Sequence, residues 1–180
     1  MLLKELTELN GVSGNEDEVR EYIKKEALLH ATEVKVDSMG NLICYKKGKS
    51  SEYKIMLSAH MDEVGFIVTG YKDGVIKFSP IGGIDERILP GARVLVGDKK
   101  IPGVIGSKPI HLQDKEERGN NIKLKGMYID IGADNKEELE RLTSPGDYIA
   151  FYSKYTEFGD NCIKAKALDD RVGCAMLLEI

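Results

Sequence analysis

At 180 residues the chain can bury a real core and has room for one domain or two small ones. Charged residues at 31% and apolar ones at 42% describe an ordinary folded chain, and a net charge of -4 gives no electrostatic footprint for nucleic acid or an anionic membrane. Both partner classes are excluded on that ground.

Leu2, Leu3, Leu6 and Leu9 share one face at helical spacing, so a short first helix is expected, stopped by Asn10-Gly11. Its charges interrupt any apolar run long enough for a signal peptide, and no later stretch is long enough to span a bilayer, so a cytoplasmic location is the expectation. Ser13-Gly14-Asn15-Glu16 reads as a capping box, with Ser13 as N-cap and Glu16 at the third helical position. It opens a second helix whose apolar stripe is Val19, Tyr22, Ile23 and Ala27. Acids in the first turn and Lys24 and Lys25 further on suit the helix dipole. His30 would meet the carbonyls of the last turn. Residues 33–37 then alternate, Met39-Gly40-Asn41 turns and Leu42–Tyr45 returns, which predicts a hairpin.

Lys54-Ile55-Met56-Leu57 is an apolar run of the kind a buried strand shows, and His60 and Asp62 follow it two residues apart. Side chains at i and i+2 of an extended segment point the same way, so both would project from the strand's C-terminal end, where ligands gather in open α/β sheets. A ligating histidine needs a carboxylate to fix its tautomer and ring orientation, and His-x-Asp supplies both. The pattern is also common by chance, and a surface histidine bonded to a neighbouring acid is an equal reading of these two residues alone. Glu63 would point to the opposite side, where a salt bridge is its expected role.

After Asp62 the texture changes. Residues 65–70 look like a strand, Lys72-Asp73-Gly74 is a strong hairpin turn, and residues 75–78 alternate back. Further short strands at residues 93–96, 104–105, 127–130 and 147–151, punctuated by Gly and Pro, suggest a small barrel or sandwich. One short helix interrupts them at about residues 135–142, with Asp134 as N-cap. His111 could approach an active site, but a structural or surface role is at least an equal reading, and it is left out of the site.

Residues 162–168 alternate like a strand and run into Asp169-Asp170-Arg171, where the pattern turns helical. An aspartate at such a junction can ligate a metal or cap the helix, and both readings stay open. Because His60 and Asp169 flank the β-rich stretch, residues 64–160 read as an insert and residues 1–63 with 161–180 as a discontinuous catalytic domain. The fold class is α/β, a mixed sheet with helices interrupted by a barrel-like insert. Cys44, Cys162 and Cys174 are odd in number and widely spaced, so neither a disulfide framework nor a zinc knuckle is indicated, and buried thiols are expected. The last helix has no glycine, proline or polar tail to close it, so a chain that continues is also expected.

Gly11-Val12-Ser13-Gly14, Ser58-Ala59-His60-Met61-Asp62-Glu63-Val64-Gly65, Gly103-Val104-Ile105-Gly106-Ser107-Lys108-Pro109, Asp130-Ile131-Gly132-Ala133 and Ala167-Leu168-Asp169-Asp170-Arg171 occur in that order. With them, essentially the whole chain resembles the tetrahedral dinuclear-metal aminopeptidases, metallopeptidase family forty-two, which includes glutamyl aminopeptidases and members labelled endoglucanases. The resemblance implies part of a zinc-peptidase-like catalytic domain that holds two divalent metal ions, zinc or cobalt. It implies His60 as a terminal ligand of one ion, Asp169 as the bridge between both, and Asp62 as the carboxylate that orients His60. Asp170 stands where the family varies between Asp and Asn, so it is not counted as a ligand. The general base, a glutamate, and the remaining ligands would lie in a half that this chain does not hold. Substrates would be peptides with a free N-terminus, and the insert would assemble dimers into a tetrahedral dodecamer.

With only His60 and Asp169 as ligands, residues 1–180 alone would bind metal weakly and be inactive. A carboxypeptidase or deacylase on the same dinuclear scaffold is the first alternative, and a non-catalytic assembly module built on the insert is the second. The endoglucanase label fits poorly, since glycosidases use two carboxylates flanking the bond and no metal.

Overall fold

The computed structural model of the chain describes residues 1–50, 52–114 and 119–180, with Ile110 described by its backbone alone. In chain order the first elements are α1 (Leu2–Glu8), α2 (Asp17–Ala27), β1 (Glu33–Val36), β2 (Leu42–Tyr45), β3 (Gly65–Lys72), β4 (Val75–Ile81), β5 (Arg93–Val96) and β6 (Ile101–Ser107). They are followed by β7 (Met127–Asp130), α3 (Lys136–Leu142), β8 (Tyr148–Phe151), β9 (Thr156–Phe158), β10 (Cys162–Lys164) and α4 (Leu168–Glu179). Two compact units result, Met1–Glu63 with Lys154–Ile180, and Val64–Ser153. No helix among the described residues is long and apolar enough to cross a membrane.

In the first unit, Val19, Ile23 and Ala27 recur every four residues and form the buried face of α2. Val19 and Ile23 meet Leu6 of α1 and Cys174 of α4 in a small apolar core, against which Ala59 and Met61 also pack. With Ala59 and Met61 turned inward, the residues that alternate with them, His60 and Asp62, face the other way. The β1–β2 hairpin forms with Val34 opposite Cys44 and Val36 opposite Leu42. Its turn is closed by the Asp37 carboxylate, which accepts the backbone N–H of Met39 and of Asn41, each at 2.9 Å.

Three local expectations change here. Residues 54–57 form no strand, because the run finds no hydrogen-bonded neighbour among the described residues, and Ile55 and Met56 are 85% and 91% exposed. Ser13 does not cap α2: the helix begins at Asp17, Glu16 stands at its N-cap without a side-chain capping bond, and the Ser13 hydroxyl is engaged elsewhere. Of the three thiols only Cys174 is buried, since Cys44 and Cys162 lie on short hairpins with exposed faces.

The second unit is a closed antiparallel barrel in the order β3-β4-β7-β6-β5-β8. Its alternating strands send Phe66, Val68, Ile76, Val94, Val96, Ile105, Ile129 and Ile149 into one apolar core. Phe66 meets Phe78 and Phe151 edge to face, with ring centroids 5.0 and 5.1 Å apart. The β3–β4 turn places Asp73 and Gly74 both at positive φ, 52° and 78°, as a two-residue hairpin of matching twist requires. In α3 the N-cap is Asn135, one residue after the expected Asp134, and its side chain accepts the Glu138 N–H at 2.9 Å. The chain returns to the first unit at Lys154, earlier than residue 161, because β9 pairs with β10 and takes no place in the barrel.

Candidate functional site

His60 is held between two carboxylates. Its Nδ1 lies 3.0 Å from Asp62 Oδ1 and its Nε2 lies 2.9 Å from Asp169 Oδ1. The second oxygen of Asp62 accepts the hydroxyl of Ser13, so both of its oxygens are engaged and its plane is fixed. Asp62 and Asp169 therefore converge on one ring from positions 2 and 109 residues away in sequence.

The start of α4 delivers Asp169 to this point. Ala167 is left-handed at φ 52°, Asp169 and Asp170 depart from helical dihedrals, and the peptide between them is cis. Asp170 performs the capping, its Oδ1 accepting the N–H of Gly173 at 3.0 Å, while the Asp169 side chain is 94% exposed on the side of His60. Of the two roles left open for an aspartate at this junction, Asp170 takes the cap and Asp169 faces the histidine.

Ser13 was legible only as a candidate cap, yet it joins this group because Gly11-Val12-Ser13 lies beside Asp62-Glu63 in a parallel bridge. The Glu63 N–H donates to Gly11 O at 2.8 Å and the Ser13 N–H to Glu63 O at 3.1 Å. Glu63 makes a salt bridge as expected, but an inward one, pairing with Lys166 at 2.5 Å with both side chains buried. Lys166 also donates to Leu9 O at 2.6 Å, and burial pulls its pKa down in spite of the Glu63 charge. His111 is exposed in a 3-10 turn of the second unit, and His30 follows α2.

The electrostatics suit a cation. Partial desolvation works against a charged His60, but the bond to Asp169 and the charges of Asp62 and Asp169 outweigh it and raise its pKa. The Ser13 hydroxyl, then the His60 charge, hold Asp62 below the ordinary carboxylate value against its partial desolvation. A metal ion at His60 Nε2 would take the place of one proton, with Asp169 as an oxygen donor and Asp62 behind the ring, so the donor chemistry fits. Among the described residues no group of three or more His, Cys, Asp or Glu side chains is arranged so that it could hold a metal ion by itself.

A family model described as M42 glutamyl aminopeptidase matches residues 40–180, and one described as AMPT matches residues 1–21. The chain belongs to the M42 glutamyl aminopeptidase family. Among M42 relatives, an Acetivibrio thermocellus protein named as a candidate aminopeptidase is 44% identical over 179 residues, 99% of this chain and 52% of that protein. The crystal structure of a TET aminopeptidase from the marine sediment archaeon Thaumarchaeota archaeon SCGC AB-539-E09 is 37% identical with a TM-score of 0.92, covering 99% of this chain and 51% of that one. The TET1 peptidase of Pyrococcus horikoshii, described as able to assemble into a tetrahedron or a large octahedral shell, is 38% identical with a TM-score of 0.86, over 98% of this chain and 53% of that one. The M42 chain thus spans about half the length of the relatives it matches.

Proposed function

We propose that this chain supplies part of a metal-dependent aminopeptidase that removes N-terminal residues from peptides at a site for two divalent ions. The observation that carries the reading is the His60 ring held between Asp62 and Asp169. His60 Nε2 and the Asp169 carboxylate would hold the metal, Asp169 serving both ions, and zinc or cobalt would suit this nitrogen and oxygen set. Asp62 accepts the Nδ1 proton of His60, which leaves the Nε2 lone pair free and strengthens it as a donor. Ser13 keeps Asp62 in the plane that this requires. When bound, such an ion pair supplies an activated water and polarises the scissile carbonyl. The general base and the remaining ligands lie outside residues 1–180 on this reading. Membership of the M42 family and the names of its relatives support the peptide substrate. A cytoplasmic location and self-association through the Val64–Ser153 unit, from dimer to tetrahedral dodecamer, belong to the same proposal, the latter supported by the assembly of the Pyrococcus horikoshii relative.

The test uses the protein at the length of its relatives. His60→Ala and Asp169→Ala should each abolish hydrolysis of an aminoacyl-nitroanilide and lower bound metal, whereas Asp62→Asn should reduce turnover more than metal content. Wild-type activity in either ligand variant would remove the metal reading. Residues 1–180 alone should bind zinc weakly and turn over no substrate. Tight binding of a metal pair with chelator-sensitive turnover would mean that the site is completed within them.

A further inference from the structure

We propose that Arg171 is the positioning residue that sets the gap between the two donor-bearing segments. This inference rests on the reading of His60 and Asp169 as ligands. The Arg171 side chain is wholly buried. Its Nε donates to the carbonyl of Met61, the residue between His60 and Asp62, at 2.8 Å. Nη1 donates to Leu6 O and, at 3.5 Å, to Leu9 O, carbonyls at the end of α1 that have no helical partner of their own. Nη2 stands 3.8 Å from Glu63 Oε1, beside the Glu63–Lys166 pair. One planar group thus grips the backbone of the His60 segment while its own backbone, two residues earlier, carries Asp169.

The arrangement demands a guanidinium. Three directions must be served at once from a rigid fork, and an ammonium offers a single point of charge on a flexible stem. It also demands Gly11, because a Cβ there would lie 2.6 Å from Arg171 Nη2 and 2.7 Å from Val19 Cγ2. The glycine of Gly-Val-Ser-Gly is therefore what lets the guanidinium reach Met61. Arg171 touches neither the His60 ring nor the Asp169 carboxylate. It acts by holding the two strips of backbone from which they project, so that both donors are in register before any ion arrives.

The experiment compares Arg171→Lys and Gly11→Ala with the wild-type 180-residue chain, using zinc titration by calorimetry and the ring 15N and 1H signals of His60, assigned with His60→Gln. Circular dichroism and thermal unfolding report whether each variant is folded. The expected result is a folded variant with about tenfold weaker zinc binding, the usual effect of disturbing a group that orients a metal ligand, and shifted His60 ring signals while those of His30 and His111 stay put. Unchanged zinc affinity and unchanged His60 signals in a folded variant would overturn the proposal. If Arg171→Lys unfolds, Gly11→Ala decides by the same criteria. If both unfold, Arg171 is a folding residue and the proposal is overturned. Wild-type zinc affinity that is insensitive to His60→Ala would overturn the ligand reading instead, and the ring signals would still show whether Arg171 positions His60.

Discussion

With a carboxylate 3.0 Å from one ring nitrogen of His60 and another 2.9 Å from the second, only the imidazolium donates on both sides. Desolvation opposes that charge, but Asp169 and Asp62 outweigh it and hold the pKa above its ordinary value of 6.5. The folded chain therefore binds this proton more tightly than the unfolded one. Its contribution to stability is fully present below pH 6.5 and is lost as pH rises through the folded value. Exposure of about half the ring keeps that contribution small. An NMR titration of the metal-free chain should place the His60 midpoint above 6.5, and Asp169→Asn should lower it. A wild-type midpoint at or below that value would show that the two carboxylates do not hold the ring together. A second residue-scale effect sits at Ala167, whose φ of 52° turns the chain toward Asp169. A left-handed residue with a Cβ costs roughly 1–2 kcal/mol, so Ala167→Gly should gain about 0.5 kcal/mol after the extra freedom of the unfolded chain is subtracted. Urea unfolding measures this, and a net loss would mean that the methyl group packs usefully.

Elements whose partner lies close in sequence were legible, and those whose partner lies far away were not. Asp73-Gly74 announces the β3–β4 hairpin because its twist needs two residues at positive φ, and the register follows from the turn. Met39-Gly40-Asn41 announces the β1–β2 turn in the same local way, and the Asn41 amide closes it by donating to Asp37. His60 and Asp62 share a side while Ala59 and Met61 alternate with them into the core, as the two-residue spacing on an extended segment already implied. Ser13 misled, since a serine followed by a glutamate three positions on serves equally well as a capping box, and its bond to a residue 49 positions away leaves no local trace. The buried pairing of Glu63 with Lys166 was expected only as an unspecified salt bridge, for the same reason of distance. Residues 54–57 show the converse: a strand-like composition does not make a strand without a neighbour to complete the ladder. Hydrogen exchange should find amides 54–57 unprotected while Val68 and Phe78, opposite each other in the barrel, are strongly protected. Slow exchange at residues 54–57 would reveal a pairing that the described residues do not supply.

At the scale of the whole molecule, the barrel carries the properties of a domain that stands by itself. It has its own apolar core, and closure of the sheet leaves no edge to be protected by other parts of the chain. Phe66 lies opposite Ile149 in antiparallel register, so the start of β3 and the end of β8 are neighbours and the segment begins and ends at adjacent points. A segment whose ends adjoin can be excised without strain on its interior. Residues 64–153 expressed alone should therefore give a β-rich circular dichroism spectrum and a single cooperative urea transition. Phe66→Ala in that fragment should cost about 3–5 kcal/mol, because it removes the ring that meets both Phe78 and Phe151. Sedimentation of the same fragment addresses the proposed assembly role separately from its folding. An unfolded fragment would show that the core depends on residues outside the barrel, whereas a folded fragment that stays monomeric at high concentration would leave the domain intact and count against self-association through it.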